Sequence, residues 1–432
     1  MNRTRYCAKH AVFPSSTGRA QGTHPLEEAA LSQGARRRGW AYLVIGMAWG
    51  GLSSFSLLAG KEGAPAYQAT GLALAVLGVA LVQRSASAVT QWAASWSGRL
   101  LACHAAAAVA SGVWSGSSMA AIARYVLLLP AFSVLAAAVR RGGAMKLQAG
   151  LIASGVLFVF VHAAQVDPSA VFDPSYRISL FLNTNGVGFI AAVTAVGLLA
   201  YLDPRRLRVC SLVAALLVAC LVVIFATKSR TASLSFLAGL CVHVWLHARR
   251  ARRLGTSLAA AVVVLSLVLV CAPAGDRVRQ SVTQLYMLDD EHRSVQSGTY
   301  RYETWSYVVN ELWLPNPLLG VGPGRHGALI EAATGVTSAH NGMLANLAEV
   351  GLLGTVPLMG MLALALARRR RSAMRHLPLV AAGIVESGAE IMMFSMGNTG
   401  SLLFLLALVA MSTARCPARR GPPIWETRGW HA

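Results

Sequence analysis

The chain has 432 residues, 55% of them hydrophobic and only 13% charged, with a formal net charge of +21 at pH 7. A soluble domain carries about a quarter charged residues, so the soluble class is excluded and the membrane class indicated. The positive charge comes in short clusters between apolar runs, as in membrane proteins that set their orientation this way, which argues against nucleic acid as a partner.

Residues 1–39 are polar and end in Arg36-Arg37-Arg38. No apolar core of signal-peptide length lies near the start, so the stretch reads as a disordered, basic cytoplasmic tail. Apolar runs follow at roughly 40–59, 65–83, 100–117, 119–139, 147–164, 185–202, 207–227, 230–248, 255–273, 343–366, 377–395 and 400–413. About 20 apolar residues cross a bilayer, so the pattern predicts an all-α, polytopic membrane protein with about twelve transmembrane helices.

Basic clusters test that count. They lie at Arg36-Arg37-Arg38, at Arg84 and Arg99, at Arg140, Arg141 and Lys146, at Arg205, Arg206 and Arg208, at Arg249, Arg250, Arg252 and Arg253, at 368–371 with Arg375, and at Arg415, Arg419 and Arg420. They fall at every second connection, which puts both termini in the cytoplasm and the other loops outside. The chain then divides into spans one to nine (40–273), an outward loop (274–342), spans ten to twelve (343–413) and a cytoplasmic tail (414–432). No repeat of the two halves is visible, which weakens a transporter reading. The 7 cysteines fall mostly inside apolar runs without a CxxC pair and read as small buried hydrophobes. No His/Asp/Glu cluster has metal-ligand spacing, so neither metal nor cofactor is expected.

Two outward loops are long. One, 165–184, holds Asp167, Asp173, Arg177 and Asn183 and leads into Asn185. In the other, 274–342, Trp305, Val308, Val309, Leu312 and Trp313 stand near helical spacing, which predicts a short amphipathic helix lying on the membrane. Gly320-x-Gly322-x-Gly324 follows no strand and precedes no Gly-Lys-Ser/Thr, so it reads as a tight turn, not a nucleotide loop.

Lys228 and Arg230 stand at the amino end of the eighth span, where the helix dipole disfavours cations. The site makes sense around an anion such as phosphate, which suits exposed N–H groups and guanidinium forks. Snorkelling to the lipid headgroups is the alternative. Arg301 lies one helical turn before Trp305, which by itself suggests a surface cation–π contact. His340 precedes the tenth span, with Asn341 placed as its N-cap. Histidine titrates nearest neutrality and can take a proton from a hydroxyl, although a lone interfacial histidine is usually structural. Arg124, Glu349, Glu386 and Glu390 fall inside apolar runs, the last two four apart and hence on one helical face. At a helix centre each costs about 2.5–3.5 kcal/mol, so they either pair with one another or face a wet cavity.

The stretch from 297 to 354 contains Arg301-x-x-x-Trp305, Pro317-Leu-Leu-Gly-Val-Gly-Pro-Gly324, His340-Asn341-Gly and Glu349-Val-Gly-Leu-Leu-Gly354. It resembles the O-antigen ligase and polymerase family of bacterial inner-membrane proteins, and Ser229-Arg230 is similar to the family pattern too. The resemblance covers spans six to ten; spans one to five match only in hydropathy. It implies a metal-independent, inverting glycosyltransferase that moves a glycan from undecaprenyl diphosphate to an acceptor hydroxyl on the periplasmic side. Arg230 and Arg301 are then expected to stabilise the departing diphosphate and His340 to orient or deprotonate the acceptor. Lys228, Arg325, Asn341, Glu349 and Arg177 are expected to bind substrate. Implied partners are the lipid-linked donor, a glycan or lipid A–core acceptor, membrane lipids and other glycan-assembly proteins. The run into Arg301 and Trp305 looks closer to exopolysaccharide polymerases, which favours polymerisation of exopolysaccharide or O-antigen repeats. A ligase moving finished polymer to lipid A–core is the alternative. From another class, a lipid or polysaccharide transporter would also explain the spans and buried charges.

Overall fold

The computed structural model describes residues 25–55, 60–83, 87–167, 178, 184–202, 207–248, 301–336, 338–368, 374–390 and 398–413. All regular structure among them is helical: α1 (Pro25–Phe55), α2 (Gly60–Gln83), α3 (Ser87–Ala93), α4 (Trp96–Ser115), α5 (Met119–Val126), α6 (Leu128–Arg140), α7 (Ala144–Ala163), α8 (Thr184–Leu199), α9 (Leu207–Ala226), α10 (Arg230–Ala248), α11 (Arg301–Tyr307), α12 (His326–Thr334), α13 (Gly342–Ala367), α14 (Leu377–Ser387) and α15 (Thr399–Thr413). A bilayer offers backbone groups no water, and a helix satisfies them within its own segment, so this is the secondary structure the composition demands.

The bundle is built around α15. Its residues from Thr399 to Ser412 are all buried, and it packs against α1, α6, α7, α8, α13 and α14. The polar part of its entry is tied in: Thr399 Oγ1 donates to the Gly50 carbonyl at 2.9 Å and shares hydrogen bonds with Ser54 and Ser154. Small hydroxyl residues are the usual glue between helices in lipid, where apolar surface alone drives no association. Around this centre α1 lies on α7, α4 on α13, and α10 on both α8 and α14.

Four stretches are long and apolar enough to cross a membrane: Met119–Arg140, Ala144–Ala163, Arg208–Ala226 and Gly342–Ala367. The others described are shorter or less apolar, so the expected dozen spans is not reached among the described residues; the ninth span, 255–273, and the basic tail after 413 lie outside them. Three boundaries depart from expectation. α1 begins at Pro25 rather than at 40. A first-turn proline followed by Leu-Glu-Glu-Ala-Ala-Leu is good helix-forming sequence, and hydropathy alone hides it because the stretch is polar. The 119–139 run is two helices that meet at Leu127. The 377–395 run ends as helix at Ser387, whose hydroxyl bonds back to the Ile384 carbonyl at 2.9 Å before Gly388. Glu390 lies just past the helix end, but its N–H still donates to the Glu386 carbonyl at 2.8 Å, which sets the two glutamates one turn apart. The cysteine reading also needs correction: of the described thiols Cys220 is buried, whereas Cys103 and Cys241 are exposed on their helices.

The feature that positions the outer loop is a break inside α13. Gly351 has φ 59° and ψ −161°, which interrupts the helix between two helical halves. Only glycine adopts this conformation without strain. The freed backbone groups are taken up by the loop at 317–324. Val321 N donates to the Ala348 carbonyl (2.7 Å) and Gly322 N to the Glu349 carbonyl (3.0 Å), while Leu352 N and Leu353 N donate to the Pro317 and Leu318 carbonyls at 2.9 and 3.1 Å. The Gly-x-Gly-x-Gly run is thus a turn, as expected, and it docks backbone to backbone into a broken helix. Gly322, at φ 103°, lies so close to Ser115 that any Cβ would overlap its hydroxyl.

α11 continues into a π-helical turn, Val308–Trp313. Its buried residues Val308 and Leu312 meet Ile330 of α12, Ala339 and Ala348 of α13 in a small second core. The amphipathic face expected to lie on lipid is therefore used, at least in part, to hold the loop to α12 and α13.

Candidate active site

Two side chains of the outer loop converge on one carboxylate. Arg301, the first residue of α11, places Nη2 at 3.5 Å from Glu390 Oε1, and His340 places Nδ1 at 3.4 Å from Glu390 Oε2. Glu390 is 2% exposed. A third group fixes it: Asn185 Nδ2, in the first turn of α8, donates to Oε1 at 2.7 Å. Glu386, one turn earlier and fully buried, accepts from Ser235 Oγ of α10 at 2.7 Å. The two glutamates therefore bind different partners, not each other.

The local structure at His340 is constrained from both sides. His340 has φ 46°, a left-handed conformation that costs a non-glycine residue energy. Its N–H donates to Ser338 Oγ at 3.1 Å, and Trp305 Nε1 donates to the preceding carbonyl, Ala339 O, at 2.8 Å. Asn341 then caps α13, its Oδ1 accepting from Met343 N and Leu344 N at 3.0 Å each while Nδ2 donates to the Gly388 carbonyl at 3.2 Å. That cap was legible in the sequence; its second bond, to the turn carrying Glu390, was not. Among the described residues, His340 Nε2 takes no hydrogen-bond partner.

Trp305 accounts for the Arg-x-x-x-Trp spacing. Its ring meets Tyr302 edge-on at 5.7 Å between centroids, and its N–H holds the chain beside His340. Arg301 turns to Glu390, so the surface cation–π contact is not what this spacing produces.

Lys228 is the other non-glycine residue at positive φ among the described residues, at 51°. It is fully buried, with Nζ at 4.7 Å from the centroid of the Phe225 ring. Arg230 opens α10, half-buried. This hinge packs on α8, where a Cβ added at Gly188 would crowd Thr227, Ser229 and Ala232. Asn185 stands one turn from Gly188, so α8 links the hinge to Glu390. The amino ends of α8 and α13 both reach the Glu390 carboxylate through Asn185 and His340, and helix amino ends favour negative charge.

Two expected substrate ligands, Glu349 and Arg325, lie elsewhere. Glu349, 5% exposed, receives Gly324 N at 2.7 Å, His326 Nδ1 at 2.5 Å and the Tyr125 hydroxyl. Arg325 is exposed and donates from Nη1 to the Ser115 carbonyl at 2.6 Å, tying α12 to the end of α4. Both side chains hold the loop in place. Arg177 lies outside the described residues; its neighbour Ile178 donates its N–H to the Ala226 carbonyl at 3.1 Å.

Glu390 is the residue that sequence reading did not assign to the site. Its signal was a carboxylate in an apolar run, a functional indication by default. Its partners stand 50 or more positions away in sequence and are joined only by the fold.

Residues 215–359 match a protein family described as O-antigen ligase. The matched stretch includes Lys228, Arg230, Arg301, Arg325, His340, Asn341 and Glu349, and stops before Glu386 and Glu390. No curated protein matches the chain.

Proposed function

We propose, for a chain that carries an O-antigen ligase segment across residues 215–359, a membrane glycosyltransferase that uses Arg301 and His340 at the Glu390 carboxylate. The observation that carries this reading is the convergence itself: a strained histidine and an arginine, 39 residues apart in sequence, meet on a buried acid that leaves Nε2 of the imidazole without a protein partner among the described residues. A base held at one ring nitrogen by a carboxylate, with the other nitrogen open, is the arrangement that activates a hydroxyl.

The donor is a glycan on undecaprenyl diphosphate. An acceptor hydroxyl attacks the anomeric carbon from the face opposite the diphosphate, its proton passes to His340 Nε2, and the anomeric C–O bond breaks with its electron pair leaving on the diphosphate. Arg301 and Arg230 offset the charge that develops there, and planar guanidinium groups suit paired phosphate oxygens. The donor carries its own leaving group, so neither nucleotide nor metal enters the scheme. The outer loop and His340 face the periplasm, and both termini lie in the cytoplasm of the inner membrane. Polymerisation of O-antigen or exopolysaccharide repeats is the favoured outcome. Glu349 and Arg325 serve by holding the loop.

The test uses purified protein in lipid with undecaprenyl-diphosphate-linked glycan, acceptor and EDTA. A longer lipid-linked glycan is expected; product on lipid A–core would make the protein a ligase instead. His340→Ala should keep donor binding and lose turnover by roughly 10²–10⁴. Arg230→Ala and Arg301→Ala should abolish transfer, and Lys at either place should rescue poorly. Movement of intact glycolipid across the bilayer with no new glycosidic bond would replace the enzyme by a transporter.

A further inference from the structure

The contacts around Glu390 are unequal, and the inequality has a direction. Asn185 holds Oε1 at 2.7 Å, a full-strength hydrogen bond, while Arg301 and His340 stand off at 3.5 and 3.4 Å. Contacts that long are at the outer limit for hydrogen bonds and exchange readily for shorter ones. Arg301 is 24% exposed at its side chain and His340 30%, whereas Glu390 is 3%. The carboxylate is therefore fixed, and the two cationic or basic partners are the groups that can move toward substrate. Charged groups that meet at this point include Arg301 from α11 and Glu390 from the turn after α14, and both act electrostatically on Glu386 one turn inward.

We propose that Glu390 is a positioning residue with two states, and that the donor's diphosphate switches it between them. Without donor, Glu390 is shared: Arg301 takes Oε1 and His340 takes Oε2. An incoming diphosphate offers Arg301 paired oxygens of higher charge, and the guanidinium leaves Glu390 for it. Asn185 keeps Oε1 in place, so the carboxylate does not follow. Its full charge then falls on His340 Nδ1–H, which fixes the tautomer with the lone pair on Nε2 and makes that nitrogen a stronger base. The base is thus strengthened only when a donor is present to react. This rests on the transferase reading of the same site, which assigns Arg301 to the diphosphate.

Histidine-labelled protein in lipid nanodiscs tests the hand-off by nuclear magnetic resonance, with farnesyl diphosphate as the probe. The His340 signal is assigned by its loss in His340→Gln. Saturating farnesyl diphosphate should move the His340 titration midpoint to higher pH, raising its proton affinity by about tenfold. In Glu390→Gln the probe should bind at least as tightly, because Arg301 has no carboxylate to leave, but the midpoint should stay put. Arg301→Gln should show the raised midpoint without any probe and respond to none. A wild-type midpoint that ignores bound farnesyl diphosphate, or a shift that survives Glu390→Gln, overturns the hand-off. A purely structural Glu390 would instead weaken probe binding in Glu390→Gln, which also overturns it. If the midpoint moves as expected and the protein still forms no glycosidic bond, the hand-off stands and the transferase reading falls.

Discussion

Two buried glutamates bind different parts of the segment 301–342, Glu349 at Gly324 and His326 and Glu390 at Arg301 and His340, and do different work. Glu349 accepts three bonds, from Gly324 N and His326 Nδ1 at 2.7 and 2.5 Å and from the Tyr125 hydroxyl. Its partners are themselves walled in: the His326 side chain is 12% exposed. Glu390 has one short bond and two long ones, and the long ones go to the half-open residues Arg301 and His340. A carboxylate held by short bonds from three protein donors holds structure. One that leaves its cationic partners at arm's length keeps them available. Both glutamates look alike in an apolar run of sequence, so it is the geometry of the partners that separates them.

The sharpest way to break this comparison is to remove each acid in turn. Glu349→Ala leaves a backbone N–H, an imidazole and a phenol buried without their acceptor, and should destabilise the protein by about 3–5 kcal/mol. Folded yield in detergent and thermal unfolding measure it. Glu390→Gln should keep its folding and lose turnover by roughly 10², toward the lower end of what an acid–base group contributes. If the two variants exchange these outcomes, the assignment of roles is reversed.

A smaller effect sharpens the catalytic side. Trp305→Phe keeps the ring beside Tyr302 but deletes the bond to the Ala339 carbonyl, worth about 1 kcal/mol. Because that bond steadies the residue before His340, the variant should lose activity a few-fold with donor binding unchanged. Equal loss in donor binding would mean the tryptophan contacts substrate instead.

The smallest effect is a control on pH. His376, the residue before α14, is pushed down to about 3 by burial and by neighbouring Arg375. Unfolded, it binds a proton at about pH 6.5, so it contributes stability that is present above that pH and lost as pH falls below it. His376→Gln should flatten the acid side of the thermal stability profile and leave the acid side of the turnover profile alone. A change in turnover would show that acid inactivation reports unfolding rather than His340.

Two of the groups that meet at Glu390, Arg301 and His340, were singled out in the sequence, and the contacts that hold them were not. Asn341 was legible as a helix cap, whereas Arg301 and His340, read alone as a surface cation–π partner and a structural histidine, stood out through the motifs they share with the O-antigen ligase and polymerase family. Glu390 was visible as a costly charge, but its partners are gathered from α8, α11 and the loop before α13, and no periodicity encodes that. The break at Gly351 was hidden because residues 343–366 are continuously apolar, and hydropathy records composition, not dihedral angles. The end of α14 at Ser387 was hidden for the same reason. The start of α1 at Pro25 was missed in the opposite way, since a polar helix looks like a tail when only apolar length is scored.

The plugged break in α13 also constrains how the protein is made. Loop 317–324 leaves the ribosome before α13 does, so the segment that completes the broken helix is made before the helix itself. With no water in the hydrocarbon, the groups at 348–353 that the loop serves cost several kcal/mol each if left bare. They are bare only if Gly351 has broken and the loop has not docked. The break at Gly351 and the docked loop therefore belong together, and neither is favourable in hydrocarbon without the other. A substitution that closes the break, such as a bulky residue at Gly351, would strip the loop of its backbone partners and loosen the segment that carries His340 to Glu390.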